Sequence, residues 1–91
     1  MKFEWDPRKA ASNLKKHGVS FQEAASVLGD DLSITCPDPD HSVREQRFIT
    51  VGMSRFGRVL MVAHTERGDN FRIISARKTT RQERRYYEEG K

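Results

Sequence analysis

Four arginines stand among residues that otherwise read as strand. Arg47 precedes Phe48-Ile49-Thr50-Val51, Arg67 follows the apolar run that begins at Val59, and Arg72 and Arg77 bracket Ile73-Ile74-Ser75-Ala76. An arginine inside an apolar strand is costly unless it meets a carboxylate or opens onto an anion. Its planar fork fits a phosphate through two parallel hydrogen bonds. Two proton-transfer groups accompany them: His64, able to titrate near neutrality, and Glu45, two residues before Arg47. Such a set is enough to cut RNA without a metal. A base takes the 2′-hydroxyl proton, cations hold the charge on the phosphorane, and an acid protonates the leaving 5′-oxygen. Arg72, Arg77, Arg67, Glu45 and His64 are therefore the expected catalytic residues, with the base open between His64 and Glu45. Lys9 and Lys16 share a helical face with Asn13, and with Arg47 and Tyr87 they are the expected RNA contacts, a tyrosine ring being able to stack on a base. The competing reading is structural: Glu45, Glu66 and Glu83 could each hold an arginine, and the lysines could form a solvated stripe.

Other chemistries find no footing. Gly52-Met53-Ser54-Arg55-Phe56-Gly57 is one residue too long for a hydrolase nucleophile elbow, and Ser75-x-x-Lys78 lacks companion motifs. Three scattered histidines and one cysteine give no zinc spacing. Asp38 and Asp40 lack the glycine and terminal glutamate of a calcium loop. No phosphate-binding or dinucleotide glycine motif is present. Neither a metal nor a cofactor is expected.

Period and punctuation say which elements carry the candidate residues. Lys2-Phe3-Glu4-Trp5 alternates as an edge strand would. Asp6-Pro7 opens a helix that Gly18 stops after His17. Ser20-Phe21-Gln22-Glu23 reads as a capping box for a second helix ending near Gly29, so the two form an αα-hairpin. From Leu32 the period becomes two, and Pro37 and Pro39 end that strand. Strands are then expected over 45–51, 58–66 and 71–77, joined by turns short enough for an antiparallel meander. Thr80-Arg81-Gln82-Glu83 is a second capping box and starts a C-terminal helix holding Tyr86 and Tyr87. The order β-α-α-β-β-β-β-α gives an α+β domain with helices against an antiparallel sheet.

Composition agrees with that size and chemistry. The 91 residues suit a single domain, 1–91, with one thin core. No apolar run approaches the ~18 residues of a membrane helix, and the N-terminus lacks signal-peptide character. Cys36 is the one cysteine, which suits a reducing cytoplasm. The net charge of +4 is unevenly spread. Residues 1–45 carry six basic and eight acidic side chains, whereas residues 46–91 carry eleven and five, nine of the eleven being arginine. A pI near 9.6 with the cations gathered in one half is the footprint of a nucleic-acid binder.

The chain also resembles a known family. Phe3-Glu4-Trp5-Asp6, Lys9, Asn13, Lys16-His17-Gly18-Val19-Ser20-Phe21, Glu45-x-Arg47, Gly52-x-Ser54, Thr65-Glu66-Arg67-Gly68 and Arg72-Ile73-Ile74-Ser75-Ala76-Arg77-Lys78 are similar, in order and spacing, to the BrnT family of bacterial toxins. The resemblance implies a RelE-like ribonuclease fold and growth arrest by cutting RNA. It further implies neutralisation by a BrnA-type antitoxin with a ribbon-helix-helix DNA-binding part, in a 2:2 complex that reaches operator DNA through the antitoxin. The same resemblance marks Lys9, Asn13, Lys16, His17, Glu45, Arg47, Glu66, Arg67, Arg72, Arg77, Glu83 and Tyr87 without dividing chemistry from support. A non-catalytic basic nucleic-acid-binding module is the alternative, and a basic face that receives an acidic antitoxin segment is a third reading.

Overall fold

The structure is a computed structural model that describes residues 2–38 and 46–90. Its elements are β1 (Lys2–Glu4), α1 (Pro7–His17), α2 (Phe21–Val27), β2 (Ile34–Pro37), β3 (Arg47–Met53), β4 (Val59–Arg67), β5 (Asn70–Lys78) and α3 (Arg81–Glu88). Local chemistry sets the helix ends. The Asp6 carboxylate accepts from the Arg8 N–H at 2.8 Å, and Gly18, at φ 70°, donates its N–H to the Leu14 carbonyl to close α1. The Thr80–Glu83 box at the start of α3 is made in both directions. The Ser20 box is half made: its hydroxyl accepts from the Glu23 N–H at 3.0 Å, but the Glu23 carboxylate is used elsewhere. Pro37 is the last residue of β2 rather than the first beyond it, which an edge strand tolerates.

The five strands form one sheet in the order β1-β5-β4-β3-β2. Strands β2 to β5 are antiparallel neighbours, as expected for a meander, but β1 pairs in parallel with β5, from Lys2↔Asn70 to Glu4↔Arg72. The expected all-antiparallel sheet is thus corrected to a mixed one. Between β1 and its partner lie the helical hairpin and every other strand, and a parallel pair needs such a long connection. Three residues of alternating pattern carry no sign of it.

Helices α1 and α2 cover one face of the sheet, where Val19, Phe21, Ala24 and Val27 pack on Leu60, Val62, Ile73 and Ala76. Asn13 is buried there and takes the place of a strand at the edge of β5 that β1 is too short to reach. Its amide donates to the Ala76 and Val19 carbonyls at 2.9 and 3.0 Å and accepts from the Ala76 N–H at 3.1 Å. The expected Lys9-Asn13-Lys16 stripe therefore loses its middle member to a structural role. The opposite face is open except where α3 lies over it.

One irregularity decides what that open face carries. Ala63 pairs with Ser75 but His64 pairs with Ile73, so Ile74 is an extra residue in β5. Strict alternation would put Arg72 and Arg77 on opposite faces. The bulge shifts the phase by one, and both come out on the open face, Arg72 beside Thr65 and Arg77 beside Met61.

Candidate functional site

A row of polar side chains crosses the open face. Arg47 of β3, Thr65 of β4, Arg72 of β5 and Glu4 of β1 are successive partners in register. Neighbouring strands lie ~4.8 Å apart, so Arg47 and Arg72 start about 10 Å from each other with Thr65 between them. Arg67 is two residues beyond Thr65 on the same strand and so shares its face. Arg47 and Arg67 are each held by interactions within the chain. Arg72 is half-buried and has no hydrogen-bond or ion-pair partner among the described residues. Thr65 is 1% exposed and its hydroxyl has no hydrogen-bond partner among them either. A buried polar atom left unsatisfied costs about 1–3 kcal/mol. An unpartnered hydroxyl beside an unpartnered guanidinium is therefore the arrangement expected where an anion belongs.

The other expected site residues divide. Arg77 shares the open face but is held by Glu83 in a two-pronged pair at 2.9 and 2.9 Å, and also donates to the Lys78 carbonyl. The Arg77 guanidinium accordingly holds the Glu83 carboxyl below its usual range. Arg77 thus anchors α3, the structural alternative foreseen for Glu83. Lys9 and Lys16 are exposed and, with His17, line a shallow groove between α1 and the bulge at Ile74. Tyr87 donates to the Asp30 carboxylate at 2.5 Å, which pushes its own hydroxyl up to about 12 and ties α3 to the loop after α2. That hydroxyl is occupied. Tyr86, its neighbour, is the exposed ring at 52%. Glu45 lies outside the described residues.

His64 is not part of the row. It faces the helix-covered side, 1% exposed, stacked against Phe48 at 5.9 Å and near Phe71 at 5.8 Å. Its Nε2 shares a 2.7 Å hydrogen bond with Thr50, whose hydroxyl is 2.7 Å from that of Thr35. Burial lowers its pKa to about 4, so at neutral pH it is an uncharged core residue. The expectation of a base or acid at this position is corrected to a packing role. A histidine with a folded pKa below its unfolded value of about 6.5 contributes full stability above pH 6.5 and loses it as pH falls from there toward 4. Urea unfolding should show stability dropping by roughly 2 kcal/mol or more between pH 7 and pH 4.5, before most carboxylates titrate. The His64 ring resonances should show no titration above pH 5.5.

Sequence reasoning missed a second polar centre on the covered side. Glu23, 3% exposed, accepts from the Ser54 hydroxyl at 2.7 Å and from Arg58 Nε at 2.8 Å, and also pairs with Arg58 Nη2. The same guanidinium donates to the Gly18 carbonyl at 3.1 Å. The Arg58 hydrogen bond is the chief reason the Glu23 carboxyl is held below its usual range despite burial. Glu23 had a local explanation as a cap, which hid this long-range use. Thr65 was equally hard to find, because a threonine in a strand calls for no explanation until its hydroxyl proves unpaired.

Among the described residues no group of His, Cys, Asp or Glu is placed to hold a metal ion, and no helix is long and apolar enough to cross a membrane. The fold is similar to the crystal structure of the Brucella abortus ribonuclease toxin BrnT, with a TM-score of 0.65 at 23% identity, over 89% of this chain and 99% of that one. A search of curated proteins finds no match. A sequence model of the family described as "Ribonuclease toxin, BrnT, of type II toxin-antitoxin system" matches residues 5–83, a span that takes in α1, α2, β2 to β5, the start of α3 and the arginine row except its Glu4 end. The chain belongs to the BrnT family of ribonuclease toxins.

Proposed function

We propose that the chain is a metal-independent endoribonuclease whose open sheet face binds the scissile phosphate between Arg47 and Arg72. The observation that carries this reading is the half-buried Arg72 guanidinium with no partner among the described residues, beside the orphan hydroxyl of Thr65. An RNA phosphate would satisfy the Arg72 guanidinium, with the buried Thr65 hydroxyl beneath it. The 2′-oxygen attacks phosphorus, the bond to the 5′-oxygen breaks, and the proton lost from the 2′-hydroxyl is matched by one gained at the leaving oxygen. The products are a 2′,3′-cyclic phosphate and a 5′-hydroxyl. Arg72 and Arg47 hold the charge that grows on the phosphoryl oxygens, and Arg67 adds to the field. Glu4, at the end of the row, and Glu45 are the carboxylates for proton transfer. Lys9 and Lys16 attract the flanking backbone.

A toxin of a type II system acts with an antitoxin. We read that partner as a BrnA-type ribbon-helix-helix protein, in a 2:2 complex that contacts operator DNA through the antitoxin, and the site of action as the cytoplasm. The domain itself we read as RelE-like. Purified chain incubated with RNA in a chelator should yield new 5′-hydroxyl and 2′,3′-cyclic phosphate ends. Salt-sensitive binding with no new ends would instead make it a basic binding module.

A further inference from the structure

Beside the arginine row the open face changes character. Ile34 of β2, Ile49 and Val51 of β3 and Met61 of β4 form an apolar floor, and α3 stands over it with Tyr86 and Gln82 as a wall. The groove between them measures about 420 Å³ and is lined mainly by apolar surface. Volumes of roughly 300–1,000 Å³ are those of small-molecule and base-sized sites. Neither the Tyr86 ring nor the Gln82 amide is tied down: Tyr86 is 52% exposed, and no hydrogen bond engages either side chain among the described residues. Glu83, the acidic residue of the wall, is paired with Arg77, so it does not repel an anion.

We infer that this groove is the base-recognition subsite of the ribonuclease, taking a nucleobase next to the scissile phosphate, with Tyr86 as the stacking ring and Gln82 as the hydrogen-bonding edge. Register supplies the argument. Ile49 is two residues from Arg47 on the same face and Met61 four from Thr65, so the floor spans roughly 7–13 Å from the phosphate row. The near end of the floor, at Ile49, is within reach of a base whose phosphate sits on the row. Single-stranded RNA is read by stacking splayed bases on aromatic side chains and by hydrogen bonds to their edges. The groove offers both on the same face as the arginines, and Arg81 and Arg85 of α3 line a neighbouring depression that shares Gln82 and Tyr86 with it. It therefore continues the phosphate row rather than forming a separate surface. A glutamine amide, which both donates and accepts, discriminates between base edges where an apolar wall would not.

This inference rests on the ribonuclease reading, and the experiment separates the two. Full-length chain bearing Tyr86→Ala, Tyr86→Phe, Gln82→Ala or Arg72→Ala is assayed on RNA oligonucleotides that vary the base on either side of the cut. Kd is measured on the same oligonucleotides carrying a 2′-deoxy sugar at the cut. Tyr86→Ala should raise KM and Kd about tenfold, with the larger effect in KM than in kcat, and Tyr86→Phe should recover the parent values. Gln82→Ala should flatten the base preference at one flanking position. Unchanged KM, Kd and base preference in Tyr86→Ala, while Arg72→Ala still abolishes cleavage, overturns the subsite and leaves the ribonuclease reading standing. Normal RNA kinetics with lost antitoxin binding in Tyr86→Ala overturns it too, by making the groove a protein-docking surface.

Discussion

Arg72→Ala should slow single-turnover RNA cleavage by about 10²–10³-fold, the loss seen when one preorganised donor to a developing oxyanion is removed. The size follows from the setting. Arg72 is half-buried on a strand, so its charge is not fully screened, and among the described residues it makes no hydrogen bond that it would have to break to receive a phosphate. Arg72→Lys keeps the charge without the two-pronged fork and should fall between the two rates. Because Arg72 makes no hydrogen bond or ion pair among the described residues, circular dichroism should be unchanged and urea midpoints should stay within about 1 kcal/mol of the parent. Arg77→Ala should behave in the opposite way. It releases Glu83 and α3, so its primary effect is a lower unfolding midpoint. Toxicity in cells combined with the stability measurement distinguishes an arginine that does chemistry from one that holds a helix.

Arg58→Ala should cost about 4 kcal/mol of stability. The two halves of the Glu23–Arg58 pair are not equivalent. Glu23 is 3% exposed, so losing Arg58 leaves a carboxylate in the interior with the Ser54 hydroxyl as its remaining hydrogen-bond partner among the described residues. The Arg58 side chain is 34% exposed, so after Glu23→Ala it can turn toward water. That variant should lose about 2 kcal/mol, near the cost of an unmade charged hydrogen bond. A domain of this size is stable by only about 5–15 kcal/mol. For Arg58→Ala the thermal midpoint should fall by about 15 °C or more, with the deficit relative to the parent shrinking as pH falls and Glu23 takes a proton. Equal losses in the two variants would mean that the pair is solvated and the interior argument misplaced.

The elements were legible because each has a local cause. Asp6, Gly18, Ser20 and Thr80 mark helix ends through bonds to their own neighbours, and period two marked β3 to β5 to within about two residues. Non-local features were not. The parallel pairing of β1 depends on which edge is left free after the rest of the sheet forms. Asn13 looked like a member of a polar stripe because the backbone edge it satisfies is 63 residues away. The bulge at Ile74 has no glycine or proline to announce it, yet it decides which face Arg72 and Arg77 share. An arginine in an apolar strand told correctly that something compensates it. Whether that was Glu83, as for Arg77, or an open face, as for Arg72, needed the register. His64 shows the limit of residue type: a titratable group in a central strand can be a buried, neutral ring.

The decisive measurement is a crystal structure of the chain with a short RNA whose 2′-hydroxyl at the cut is replaced by hydrogen, so that it binds without reacting. The scissile phosphate should lie on the open face, its oxygens within hydrogen-bond distance of the Arg72 and Arg47 guanidiniums and beside Thr65. RNA that lies elsewhere and leaves the Arg72 fork empty would contradict the assignment of the row as the site of cleavage.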